Sequence, residues 1–275
     1  MSIAPALQPS PEPGRAPAAR APVARVGGGQ GAVSITERDR KGLMGDLAER
    51  LRRAEGFAVA TLNLDHCVKL RRDPGFRAAY VGHTHVTADG RPIVWLAALA
   101  GTPVSLVTGS DNTTVFAGLA AQTEVPLALI GGTAEGLAAA EEALRMAHPG
   151  LTIALSRAPR MGFDPEGAEA DGLIQAIAES DARLVLLALG APRQERFAAR
   201  ALAQLPGVGF VSIGAGLDFV TGRQQRAPLW LRRLALEWLW RLSTDPRRMA
   251  RRYLDCVLVL PVLAMAAVAQ RRHRP

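Results

Sequence analysis

The sequence predicts an α/β fold: a parallel sheet with helices on both faces, followed by a helical C-terminal appendage. Three observations carry this. Short apolar runs alternate with longer helical stretches between about residues 57 and 213. Runs that are apolar throughout, rather than at every second position, belong to strands covered on both faces, as in sheets built from βα units. Several of these runs end in glycine just before a helix begins: Gly109, Gly131-Gly132, Gly190 and Gly214. From Phe219 onward the chain changes character. Twelve arginines there stand against Glu237, Asp245 and Asp255, a surplus of nine, whereas the 275 residues together carry +8. The body is near neutral and the last fifth is strongly basic.

The elements follow in order. Residues 1–32 are rich in Pro, Ala, Gly and Arg without a period and are expected to be a disordered tail. They hold no continuous apolar run of the kind a secretory signal needs. Ser34-Ile35-Thr36 precedes a helical pattern through about residue 53, and 57–62 reads as a strand. A strand over 104–108 leads through Gly109 to a helix over about 112–122. A strand over 127–130 leads through Gly131-Gly132 to a helix over 134–147. Then come a strand over 152–155, a helix over 171–180, a strand over 184–189, a helix over about 193–204 and a strand over 209–213. The expected division is a tail over 1–32, the α/β domain over 33–220 and the appendage over 221–275. In the appendage Trp and Leu recur at three- and four-residue spacing with Arg between them, the pattern of amphipathic helices. Residues 256–269 are uncharged and apolar around Pro261. They fall short of the roughly 20 residues that span a bilayer, so they are expected to lie in the interface or pack on protein.

Composition narrows the function. At 48% hydrophobic the chain is no disordered protein. Cys67 and Cys256 cannot build a disulfide framework, which points to a reducing compartment. A basic end points to a polyanion: a phosphate-bearing substrate, anionic lipid or nucleic acid. Trp beside Arg suits a membrane interface, where aromatics sit at headgroup depth. No nucleic-acid-binding motif accompanies it, so nucleic acid is not expected. Metal is not expected either. His83-x-His85 is the closest pair of histidines, and no carboxylate or cysteine cluster joins it.

Four segments can carry chemistry. Glycine at a strand end lets backbone N–H groups approach a phosphate, and the next helix adds its dipole. Thr61 and Asn63 are two apart and point the same way in extended chain, where they can meet a sugar or nucleotide; the alternative for Asn63 is a turn. Asp89-Gly90 is either a turn or a general base, a carboxylate held near a hydroxyl. Gln194 and Glu195 open a helix after Gly190-Ala191-Pro192. Glu195 favours that terminus electrostatically, and Gln194 can face the ligand crevice. Asp218 follows Gly214-Ala215-Gly216. The first βα turn lacks G-x-G-x-x-G, which counts against a dinucleotide enzyme. A nucleotide-binding oxidoreductase and a non-catalytic membrane adaptor remain the alternatives.

Taken in order, the motifs resemble the WecG/TagA/CpsF family of bacterial glycosyltransferases. They are Thr61-x-Asn63, Asp89-Gly90, Gly109-x-Asp111, Gly190-x-Pro192-x-Gln194-Glu195, Gly214-x-Gly216-x-x-Phe219, Arg226-Ala-Pro-x-Trp230, Leu236-Glu-Trp-Leu-x-Arg241-Leu and Asp245-Pro246-x-Arg248. The resemblance covers about residues 36–255. It implies a Rossmann-like domain whose C-terminal appendage completes the active site at a membrane. It implies an inverting, metal-independent transfer from a UDP-sugar to a polyprenyl-diphosphate-linked sugar, without a cofactor, in the making of exopolysaccharide or another surface polymer. Asp89 matches the general base. Thr61, Asn63 and Gln194 match pocket residues. Gly109, Asp111, Gly131, Gly132, Gly190, Glu195, Gly214 and Asp218 match the nucleotide edge, and Arg226, Arg241 and Arg248 match arginines near the diphosphate. The expected location is cytoplasmic, bound to the inner face of the membrane through its anionic surface. Arg91 and Arg193 are candidates for pairing with an acidic donor sugar, and homo-oligomerisation is left open.

Overall fold

The computed structural model describes residues 20–224, 228, 231, 237–244 and 246–273. It opens on a hairpin in which β1 (Ala24–Val26) runs antiparallel to β2 (Val33–Ile35). The part of the expected tail that is described, residues 20–32, is therefore built into the fold. Ala24 and Val26 alternate inward and are buried, and Gly27 supplies a left-handed φ of +85° where the chain turns. Two inward residues are too short a pattern to stand out in a Pro- and Gly-rich stretch. Residues 1–19 lie outside the described residues.

Helix α1 (Arg40–Arg52) follows, with Asp39 accepting from the Gly42 N–H at 2.8 Å as its N-cap. The βα alternation then runs β3 (Phe57–Leu62), α2 (Leu64–Arg72), α3 (Pro74–Val81), β4 (His85–Ala88), α4 (Arg91–Leu99) and α5 (Thr113–Gln122). It continues through β5 (Leu127–Gly131), α6 (Ala134–Ala147), β6 (Ile153–Arg157), α7 (Ala168–Glu179), β7 (Leu184–Ala188), α8 (Arg193–Gln204), β8 (Gly209–Ser212) and α9 (Gly216–Val220). Helices α10 (Glu237–Thr244) and α11 (Pro246–Arg272) complete it.

Six strands form one parallel sheet in the order β4-β3-β8-β7-β5-β6. The fold is an α/β, Rossmann-like arrangement with a C-terminal helix. Strand β3 shows how side-chain alternation assigns the faces. Phe57 and Val59 join the core under α1, α5 and α6, whereas Ala58, Ala60 and Leu62 join the cores on the other face. After β3 the chain turns to the face that holds α2 and α8; after β8 it turns to the opposite face, where Leu217 of α9 packs with Phe116 and Val107. Adjacent strands whose chains leave in opposite directions open a crevice at their carboxyl ends. Here that crevice lies beside β3 and β8.

The strand expected over 104–108 is one isolated bridge, Leu106 beside Ala88. The Ser105 N–H goes to Arg38 O at 2.7 Å instead of to a neighbouring strand, and Ser105 and Leu106 are exposed. The segment is a loop pinned to β4.

Helix α11 is continuous through Pro261. One stripe, Cys256, Val259, Leu263 and Ala267 at intervals of three and four, is buried in the core shared with β1, α2 and α4. The other side is apolar and exposed, with Leu254, Val257, Leu258 and Met265 each at 60–65%. By length and composition, residues 249–272 are apolar enough to cross a membrane, with 22% of the apolar window buried in the protein.

Candidate active site

At the carboxyl edge beside β3 and β8, several of the sequence-predicted residues converge. Thr61 pairs in register with Thr87, two residues before Asp89. The Asp89 N–H donates to Leu62 O at 2.7 Å, so the backbone fixes that carboxylate beside the end of β3. Gly90, with φ +92°, lets the chain turn at once into α4. Asn63 has two jobs. It is the N-cap of α2, its Oδ1 accepting from His66 N–H at 3.0 Å, and this leaves its amide N–H₂ for another partner. The turn reading of Asn63 and the ligand reading are compatible.

Gln194 is 3% exposed, and its amide is engaged on both sides. Its Nε2 donates to Glu195 Oε1 at 2.8 Å and its Oε1 accepts from Gly214 N–H at 3.2 Å. It is a strut between α8 and the turn after β8, and its side chain is not turned freely into the crevice. Glu195 is fully buried with Oε2 unpartnered, and that burial pushes its carboxyl up to about 7. Tyr80 lies within electrostatic reach of this group. Burial first, and then the charges of Glu195, Cys67 and Asp89, hold its phenol well above the usual range. Its hydroxyl lies 2.6 Å from His66 Nδ1.

The glycines divide. A Cβ on Gly109 would stand 2.6 Å from Ser212 O, and one on Gly131 would collide with Ala188 O. Both glycines are there for close backbone packing. Gly132, Gly190 and Gly214 have left-handed φ and open space around the Cβ position at the ends of β5, β7 and β8; at Gly132 and Gly190 this lets a phosphate approach the backbone, whereas the Gly214 N–H is already given to Gln194. Asp218 is exposed in the first turn of α9 and Asp111 is exposed in the loop after Gly109.

The family model for the glycosyl transferase WecG/TagA/CpsF family matches residues 31–275. The chain belongs to this family. It is a glycosyltransferase, and its family implies a sugar donor and an acceptor. The family match gives no support to the oxidoreductase alternative.

In this WecG/TagA/CpsF member three appendage arginines singled out above fall partly outside the description. Arg226 lies outside the described residues. Arg241 is on α10 and Arg248 on α11, and their side chains also lie outside. Arg91 and Arg193 are exposed at the first turns of α4 and α8. The two histidines of His83-x-His85 turn to different partners, Nδ1 of His83 to Ala79 O and Nε2 of His85 to Asp46, each at 2.7 Å.

Sequence reasoning missed three residues around the site. Lys69 donates to Ala191 O at 3.2 Å, in the turn before Gln194, and pairs with Asp65 at 2.8 Å. Arg252 of α11 reaches the same carboxylate at 3.2 Å. Arg223 donates to Thr133 Oγ1 at 3.0 Å beside the Gly131-Gly132 turn. The four-residue step from Asp65 to Lys69 was the one readable signal; the other two contacts join residues far apart in sequence.

Proposed function

We propose that this protein moves a sugar from a UDP-sugar to a polyprenyl-diphosphate-linked sugar, with inversion and without a metal ion, at the cytoplasmic face of a membrane. The observation that carries the reading is Asp89, which follows β4 and is held by its backbone beside the end of β3, on the same carboxyl edge of the sheet as Thr61 and the open Gly214 and Gly190 turns. Asp89 takes the proton of the acceptor hydroxyl as that oxygen bonds to C1 of the donor sugar. The C1–O bond to UDP breaks on the opposite side and UDP leaves with the electron pair. The developing charge on the diphosphate meets the N-termini of α8 and α9 and their glycine turns. Arginines of the appendage, Arg226, Arg241 and Arg248 among them, supply bidentate donors to it. Thr61 and Asn63 orient the sugars, and Gln194 holds the two glycine turns in register. Gly132 and Asp218 belong to the nucleotide side.

The exposed apolar side of α11 and the arginines at both its ends, Arg247 and Arg251 at one and Arg271 and Arg272 at the other, support peripheral attachment to an anionic lipid surface. The product fits a surface-polymer or exopolysaccharide assembly. The test is UDP release from a panel of UDP-sugars with a short-chain polyprenyl-diphosphate sugar as acceptor, in EDTA. Acceptor-dependent release in the wild type, lost in Asp89→Ala, is the expected result. No release across the panel from protein that binds vesicles would turn the reading towards an adaptor.

A further inference from the structure

A second cleft, of about 870 Å3, opens between the first turn of α1 and the loop over 105–112. Its size falls among small-molecule sites, which run to about 300–1,000 Å3. It adjoins the reaction centre, since Leu106 on its wall is bridged to Ala88, the residue before Asp89.

Three features of its lining point to a ligand. Asn112 is 3% exposed. Its Nδ2 donates to Thr108 O at 2.7 Å, but its Oδ1 has no hydrogen-bond partner. A buried amide oxygen without a donor is costly, so the position calls for a donor from outside. Arg40 and Lys41 occupy the first turn of α1, are exposed and make no ion pair among the described residues. The N-terminus of a helix repels cations, so nothing within α1 accounts for placing them there. Leu106 leaves 40% of its surface exposed at the same cleft. Cations and the Asp111 carboxylate, an amide oxygen and a small apolar wall together match a sugar ring. Its hydroxyls both donate and accept, and its C–H face covers apolar surface.

We propose that this cleft is a second saccharide subsite which, in an acceptor of two or more sugars, holds the sugar next to the one that reacts. Its assignment to the acceptor rests on the function proposed above; the binding itself does not.

The test is a titration of the full chain, labelled on leucine methyls and side-chain amides, followed by NMR. The probes are cellobiose and N,N′-diacetylchitobiose, with inorganic phosphate as control. Saturable shifts of the Leu106 methyls and the Asn112 amide are expected with at least one disaccharide. Arg40→Gln with Lys41→Gln, both exposed and so harmless to folding, should weaken that binding about tenfold. Silence with both disaccharides overturns the proposal. So does an unchanged affinity in the double variant, or an equal response to phosphate alone, which would mean an adventitious ion only. The titration needs no turnover, so it reads the cleft whether or not the transfer assay succeeds.

Discussion

Asp89 is half-buried, and its position is set by main chain: its own N–H to Leu62 O, and the left-handed Gly90 behind it. Replacing it with Ala removes the carboxylate and leaves those bonds. Asp89→Ala should therefore lower kcat by about 10²–10⁴-fold, the usual worth of a general base, while UDP binding by calorimetry stays near wild type. Glu195 makes a different prediction. Its folded-state value of about 7 lies above the ordinary 4.5, because burial disfavours the charge. Below about pH 4.5 the group is protonated whether the chain is folded or not and costs nothing. As pH rises to 7 the unfolded chain gives up its proton first, and stability is lost. Relative to Glu195→Gln, the wild type should lose up to about 3 kcal/mol over that range, read from urea unfolding at each pH; parallel curves would refute the buried-carboxylate account. At this scale Asp89, Thr61 and Asn63 could be singled out because each sits in a short local pattern, and the structure brings them to one sheet edge. Gln194 could be singled out from its motif, but its role as a strut could not, because its partner Gly214 is twenty residues away. Tyr80 and Arg252 carried no local sign.

Elements were legible where one period ran long enough. Helix α6 occupies the residues its pattern predicts, 134–147, and β3 occupies 57–62. The hairpin β1–β2 and the loop over 104–108 were misread for opposite reasons: two inward residues gave too little pattern, and a short apolar run gave a pattern whose hydrogen bonds go elsewhere. Gly109 belongs to that loop, and the close approach of Ser212 O predicts that Gly109→Ala destabilises the protein by about 1–3 kcal/mol, measured by denaturant midpoint. Helix α11 has an apolar composition that reads the same on all sides, so sequence left open whether it meets protein or lipid; the structure has one stripe on the core and one exposed. Leu263 lies at the centre of the buried stripe, 2% exposed. Leu263→Ala should cost about 2–5 kcal/mol in thermal or denaturant unfolding, whereas Val257→Ala, on the exposed side, should leave stability near wild type and weaken sedimentation with anionic vesicles.

Across the whole molecule, the parallel sheet was predictable from βα alternation, but its order was not. Placing β8 between β3 and β7 depends on which distant strands pair, and no local residue encodes that. The same order creates the crevice that collects residues from 61 to 214 in one place. The appendage is tied to that crevice through Arg252, Asp65, Lys69 and Ala191 O. A chain ending before Thr221 should lose both vesicle binding and sugar transfer; full transfer by the truncated protein would remove the appendage from catalysis. The last helix is also bound to the first strand. Gln270 donates to Gly27 O at 2.7 Å, and Leu263 and Ala267 share one core with Ala24 and Val26. During synthesis the hairpin is made well before α11, so it waits uncovered until α11 follows. The enzyme can thus close this core, and shape the surface we assign to the membrane, only once α11 has been made.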